Sequence, residues 1–124
     1  MRDSEAFHLL SSPPDDDFAA ALRTVILGFR QHGWISVDRA AKLAGMSTRT
    51  LQRKLAAEGR TYSDLLVESQ LELAVEMLEN TAASMDEIAS ATGYSAVPNF
   101  TRAFRRKIGK APAEFRRNRA AREK

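Results

Sequence analysis

The feature that most restricts this chain is that it repeats itself. Residues 37–55 and 85–104 run in parallel at an offset of 48, so that Asp38 matches Asp86, Ala41 matches Ala89, Gly45 matches Gly93 and Ser47 matches Ser95. Past the turn the offset becomes 49, and Leu51 matches Phe100, Arg53 matches Arg102 and Leu55 matches Phe104. Each copy reads as a short amphipathic helix, a glycine turn and a second helix with one apolar and one polar face, which is the helix-turn-helix layout. Ala41, four residues ahead of Gly45, is small enough to let the two helices cross closely. Gly45 supplies the positive φ that so tight a turn requires. The extra residue in the second copy makes its second helix start differently, with Pro98 in the first turn, where a missing N–H costs little.

The rest of the chain is organised around these two units. Residues 1–17 are polar and acidic, with Pro13, Pro14 and then Asp15, Asp16 and Asp17, and read as a flexible leader or linker ending in an aspartate N-cap. A first lobe is expected over 18–60. Phe18, Leu22, Val25, Ile26 and Phe29 form one helical stripe ending near Gln31 to Gly33, and Trp34 and Ile35 plug the core beside it. Ser36 caps Val37 to Ala44, and Ser47 caps Thr48 to about Glu58, before Gly59. Thr61 and Asp64 form a capping box that opens a connector helix over 61–80. Its apolar set is Tyr62, Leu65, Leu66, Leu73, Ala74, Met77 and Leu78, with Leu66, Leu73 and Met77 close to one stripe. A second lobe follows over 81–120. Ser84 and Glu87 make another capping box ahead of Met85 to Thr92, and Phe100, Phe104 and Ile108 make a packed stripe on the next helix, which closes at Gly109. A last helix from Ala113 to about Ala120 carries Phe115 inward and Arg116, Arg117 and Arg119 outward, and 121–124 is a frayed tail. The class is all-α.

Composition excludes several functions. The chain has 124 residues, of which 44% are hydrophobic and 28% charged, so it can build a core. With no cysteine it has neither disulfides nor thiolate metal sites. No apolar run is long enough to cross a membrane and no signal peptide opens the sequence, so a cytoplasmic location and no membrane partner are expected. His8 and His32 stand apart and read as surface residues. There is no glycine-rich phosphate loop, nucleophile motif or metal spacing, so no catalytic residue, metal or cofactor is expected and the chain does not read as an enzyme.

Charge is informative through its distribution. Residues 61–100 hold seven acids and no Lys or Arg, whereas 101–124 hold ten Lys or Arg against two acids, and the whole chain carries +3. Such asymmetry points to an anionic partner for one face. Double-stranded DNA is the partner that also suits two helix-turn-helix units. Arg49, Gln52, Arg53 and Ala56 share the polar face of the first unit's second helix, and Arg49, Gln52 and Arg53 are candidates for base edges. Arginine grips guanine O6 and N7, and glutamine pairs with adenine N6 and N7. The match of Arg53 with Arg102 also fits a shared phosphate or within-lobe contact. In the second unit Asn99 and Arg102 are the polar readers, Val97 and Pro98 suit a thymine methyl, and Thr101 is a weaker candidate. Lys54, Arg60, Arg105, Lys107 and Lys110 are phosphate candidates, which position a protein without reading sequence. If the connector holds both units on one face, the two reading helices enter adjacent major grooves roughly 34 Å apart, at an asymmetric site. The alternative is a protein-interaction module that docks through the acidic connector face (Glu68, Glu72, Glu76 and Glu79) and binds DNA weakly.

These residues resemble the DNA-binding domain of the AraC/XylS family of bacterial transcription regulators over about residues 20–117. Gly93, Tyr94, Phe100, Arg102, Phe104, Gly109, Pro112 and Arg116 fit the family's second-unit pattern, with Arg105 in place of its Lys and Phe115 in place of its Tyr. Ala41, Gly45, Met46, Ser47, Leu51, Arg53 and Leu55 fit the first. The resemblance implies a seven-helix, bilobed fold in which a long connector, 62–80, joins two helix-turn-helix lobes. It also implies transcription regulation, activation more often than repression, with RNA polymerase as a partner. This domain is then expected to be monomeric and to be the C-terminal part of a longer regulator that dimerises elsewhere. Beyond the two conservative exchanges at Arg105 and Phe115, Ala96, Pro98 and Gln70 also depart from the pattern. Ala96 replaces an Asp, removing a side-chain cap for which Ser95 is the substitute. Pro98 replaces a DNA-facing Ser, and Gln70 stands where the connector often has Arg.

Overall fold

The structure is a computed structural model that describes residues 18–123. The leader 1–17 with its expected aspartate cap, His8, the side chain of His32 and Lys124 lie outside the described residues. Seven α-helices and no strand occur among those described. They are α1 (Phe18–Gly28), α2 (Val37–Leu43), α3 (Thr48–Ala57), α4 (Tyr62–Asn80), α5 (Met85–Ala91), α6 (Val97–Ile108) and α7 (Pro112–Glu123), with a 3-10 turn, Arg30–His32, after α1. The all-α, seven-helix class expected from the sequence is therefore the one observed. The chain divides into two compact units between Ser69 and Gln70, inside α4.

In the first unit α1 packs on α2 and α3, and α2 packs on α3. Phe18, Leu22, Val25 and Ile26 from α1, Ile35, Ala40, Ala41 and Ala44 around α2, Leu51 and Leu55 from α3, and Tyr62 and Leu65 from α4 form one buried cluster, with Phe29 and Trp34 half-buried against it. Long-range polar contacts pin this unit. The Glu58 carboxylate, at the end of α3, accepts from the backbone N–H groups of Phe18 and Ala19, both at 3.1 Å. The first amides of a helix have no partner within it, and a carboxylate there is also favoured by the helix dipole. The Tyr62 hydroxyl donates to the Ile35 carbonyl at 2.7 Å, and burial pushes its pKa up to about 12.

In the second unit α5 packs on α6 and α6 on α7. Its buried residues include Leu71, Ala74, Leu78, Ile88, Ala89, Phe100 and Phe104. Rings run in a file from Tyr94 through Phe100 and Phe104 to Phe115, with centroids 5.9, 5.8 and 5.7 Å apart and the last pair edge-on, a favourable aromatic arrangement.

Both glycine turns close identically. Met46 N–H donates to Ala41 O and Gly45 N–H to Lys42 O. Forty-eight residues on, Tyr94 N–H donates to Ala89 O and Gly93 N–H to Ser90 O. Each pair is a Schellman ending, with glycine in the left-handed region at φ 72° and 89°. The capping boxes also form. Thr61 and Asp64 exchange backbone-to-side-chain bonds, and so do Ser84 and Glu87.

Several expectations are corrected. Ile108 is 36% exposed and does not complete the stripe. Each step of four residues drifts about 40° around a helix, so the third member has rotated out of the core. The connector has no single stripe through Leu66, Leu73 and Met77, which are all half-buried. Tyr62, Leu65 and Ser69 are buried at helical spacing, and Leu71, Ala74 and Leu78 then begin a second series out of phase with the first. Ser95 does not cap α6, whose N-cap Ala96 offers no side-chain bond. α7 continues to Glu123, past the expected end at Ala120, through Ala, Arg and Glu, which favour helix.

Arg116 and Arg119 do not simply face outward. The Arg116 guanidinium donates to the carbonyls of Met77, Leu78, Thr81 and Ala83 at 2.8–3.3 Å. It thereby closes the C-terminal end of α4, where carbonyls lack partners and a cation is favoured. Arg119 lies 3.5 Å from Glu79.

Candidate nucleic-acid interface

The two candidate reading helices, α3 and α6, share a construction and differ in how they begin. In α3 the Ser47 hydroxyl accepts from Thr50 N–H at 3.1 Å, and Thr48 Oγ1 donates to Asp38 Oδ1 at 2.7 Å, tying the first turn of α3 to α2. Leu51 and Leu55 are fully buried, which leaves Arg49, Gln52 and Arg53 together on the exposed side. Among the described residues no hydrogen bond or ion pair engages the side chains of these three.

α6 enters without a cap, with Pro98 in its first turn. Phe100 and Phe104 are buried, and Asn99, Arg102, Arg105 and Arg106 are exposed. Pro98 is exposed, whereas Val97 and Thr101 are half-buried. Here the polar side chains engage one another. Asn99 Nδ2 donates to Ser95 Oγ at 2.9 Å, and Arg102 Nη2 donates to Asn99 Oδ1. The sequence marked Asn99 and Arg102 but missed Ser95. Its signal was available as polar residues at i, i+4 and i+7, obscured by reading Ser95 as a helix cap.

The phosphate candidates are less uniform. Arg105, Lys107 and Lys110 are exposed around the end of α6. Lys54 is exposed too, but its ammonium lies 5.6 Å from the centre of the Phe18 ring. Arg60 is paired with Glu68, which Arg23 approaches at 3.6 Å from the other side. A pair of this kind holds the Arg60 charge close to the protein. Tyr94, in the second glycine turn, has a buried hydroxyl without a hydrogen-bond partner among the described residues, and burial raises its pKa. Among the described residues no cluster of acidic and histidine side chains is placed to hold a metal ion, and no helix is long and apolar enough to cross a membrane.

A family model described as a helix-turn-helix domain matches residues 40–118, which take in both glycine turns, α3 and α6. Among solved structures, a transcriptional regulator with an AraC-type DNA-binding domain from Chromobacterium violaceum superposes with a TM-score of 0.74 at 28% identity, covering 80% of this chain and 88% of that one. The chain belongs to the AraC/XylS family. The matched region is accordingly an AraC-type DNA-binding domain. A DNA-binding transcriptional dual regulator from Escherichia coli K-12 is similar with a TM-score of 0.77 at 30% identity, over 87% of this chain and 95% of that one. The DNA-binding domain of AdpA, solved with a target DNA, matches with a TM-score of 0.68 at 29% identity, over 82% and 94%. Among curated relatives, the HTH-type transcriptional regulator VqsM of Pseudomonas aeruginosa is 33% identical over 111 residues, 82% of this chain. The chain spans only 34% of the length of VqsM, and 21% of the length of a mycobacterial regulator that it also matches.

Proposed function

We propose that this AraC-type domain binds double-stranded DNA sequence-specifically, with α3 and α6 entering two adjacent major grooves, and that it regulates transcription in the bacterial cytoplasm. Arg49, Gln52 and Arg53 supply most of the direct readout, and the hydrogen-bonded pair of Asn99 and Arg102 the rest. Lys54, Arg60, Arg105, Lys107 and Lys110 hold phosphates, Arg60 only by loosening its pair with Glu68. The domain binds as a monomer and acts as an activator, helping to recruit RNA polymerase.

The observation that carries this reading is the unengaged trio on α3. Two arginines and a glutamine with no partner of their own sit on one side of a helix whose other side is locked into the core. Their donors match what guanine and adenine present in the major groove. The acidic connector supports a protein-docking function less well. Glu68 is held by Arg60, and Glu79 by Arg119.

Binding to duplex DNA at two salt concentrations tests the proposal. Several phosphate contacts release condensed counterions, so affinity is expected to fall steeply as salt rises. A footprint should cover two major-groove faces about one helical turn apart. Absence of binding even at low salt would end the DNA reading, and a footprint over one groove would end its two-site form.

A further inference from the structure

The hydrogen bonds at the start of α6 divide the work between its two polar readers. We infer that the second lobe reads a guanine through Arg102, and that Asn99, held by Ser95, positions that arginine instead of reading adenine itself. The inference rests on α6 facing DNA bases as proposed above.

The argument begins with donor and acceptor inventory. A guanidinium only donates, so the Asn99 atom that meets Arg102 Nη2 has to be the carbonyl oxygen, Oδ1. That fixes the amide orientation, which distance alone does not. Asn99 Nδ2 then points the other way and donates to Ser95 Oγ at 2.9 Å, which has to accept. The Asn99 amide is thus bridged along the helix, from a partner four residues before it to one three residues after it. A bidentate grip on adenine N6 and N7 needs both its oxygen and its nitrogen turned outward together. That rotation breaks both bonds of the bridge.

Arg102 is in the opposite position. It uses one of its five N–H donors on Asn99 and keeps the others for a base. Ser95, having accepted from Asn99, still has its own O–H to give. Ser95, Asn99 and Arg102 are all exposed, so the assembled group offers free donors to solvent. Guanine presents two acceptors, O6 and N7, at the major-groove edge, whereas adenine presents one acceptor and one donor. A donor-rich head therefore favours guanine. It is also partly ordered before DNA arrives, which lowers the side-chain entropy lost on binding. Ser95 is a positioning residue here, because it acts on DNA through Asn99 and Arg102.

The test is in vitro selection of bound duplexes, followed by affinities for the chosen site and for its guanine-to-adenine variant. Wild type is expected to select guanine at one position of the half bound by α6. Arg102→Ala should abolish that preference, a loss of roughly 5- to 150-fold in discrimination. Ser95→Ala should weaken it by about 2- to 12-fold, the worth of one ordinary hydrogen bond. Neither change should alter the preference of the α3 half, and Ser95→Thr, which keeps the hydroxyl, should restore discrimination. Selection of adenine at that position, lost in Asn99→Ala, would overturn the division of roles. Loss of the guanine preference in Arg102→Ala but not in Ser95→Ala would leave Arg102 as reader and remove Ser95 from the scheme. If neither Arg102→Ala nor Asn99→Ala changes any base preference, the reading of α6 as a base-contacting helix fails, and this inference fails with it.

Discussion

The two lobes solve one problem with different materials. Both hold a candidate reading helix, α3 or α6, against a shorter helix through the same glycine turn, down to the same two backbone hydrogen bonds. The first lobe backs its helix with aliphatic Leu51 and Leu55, caps it with Ser47 and ties it to α2 through Thr48 and Asp38. The second has no side-chain cap on its reading-helix candidate and backs that helix with a file of four rings. The contrast teaches that a helix entry can be fixed either by hydrogen bonds at its first turn or by packing along its length. The reading faces follow the same division. The side chains of Arg49, Gln52 and Arg53 on α3 are left unengaged, while those of Asn99 and Arg102 on α6 are bound to one another.

The comparison can be broken most forcefully in the ring file. Phe104 is fully buried between two other rings. Phe104→Ala is expected to cost about 3–5 kcal/mol. Hydrogen exchange should show lost protection in α5 and α6 with α1 to α3 still protected, whereas uniform loss would mean that the lobes do not differ in what holds them.

Alkaline pH probes the first unit next. Tyr62 has its pKa raised to about 12 from 10 by burial. Its neutral form contributes fully below pH 10, and that contribution is lost as pH rises from 10 through 12, by about 2–3 kcal/mol. Denaturant melts should show this decline in wild type, and Tyr62→Phe should remove it. At neutral pH Tyr62→Phe should cost about 1 kcal/mol, because the Ile35 carbonyl loses its donor.

Readout comes third. Arg49→Ala should lose about 1–3 kcal/mol of discrimination at one or two adjacent base pairs in selection experiments. Uniform weakening on all sequences would make Arg49 a phosphate contact. Helix caps give a smaller, two-sided test. Ser47→Ala should destabilise by about 1 kcal/mol, and Ala96→Ser should stabilise by a similar amount, as the N-cap backbone at Ala96 is already extended. No gain from Ala96→Ser would show that the ring file already fixes the entry of α6. Smallest of all is Tyr94→Phe. Its buried hydroxyl has no partner among the described residues, so thermal melting should show no loss or a slight gain.

What the sequence made legible was local. Capping boxes at Thr61 and Ser84 and the glycines at 45 and 93 are encoded within a few residues, and each forms as read. The all-α class followed from helical periodicity in segment after segment. What escaped was set by partners distant in sequence. Arg116 reaches carbonyls 33–39 residues away, and Glu58 reaches amides 39–40 residues away. No spacing rule signals either. The connector failed for another reason, since two short buried series out of phase average to a weak pattern that a single stripe describes badly. At the interface, exposure of Arg49, Gln52 and Arg53 followed from the burial of Leu51 and Leu55. The engagement of Lys54 with Phe18 and of Arg60 with Glu68 depended on packing that composition does not reveal.

The duplicated glycine turn has a consequence for how such a regulator changes over generations. In a symmetric dimer every substitution in the reading helix alters both half-sites at once, so a new binding site has to change at two places together. Here the turn is kept twice while the residues beyond it have diverged. If α3 and α6 each read one half of a site, as proposed, a substitution in either rewrites that half and leaves the other intact, so the genes under control would shift by single steps.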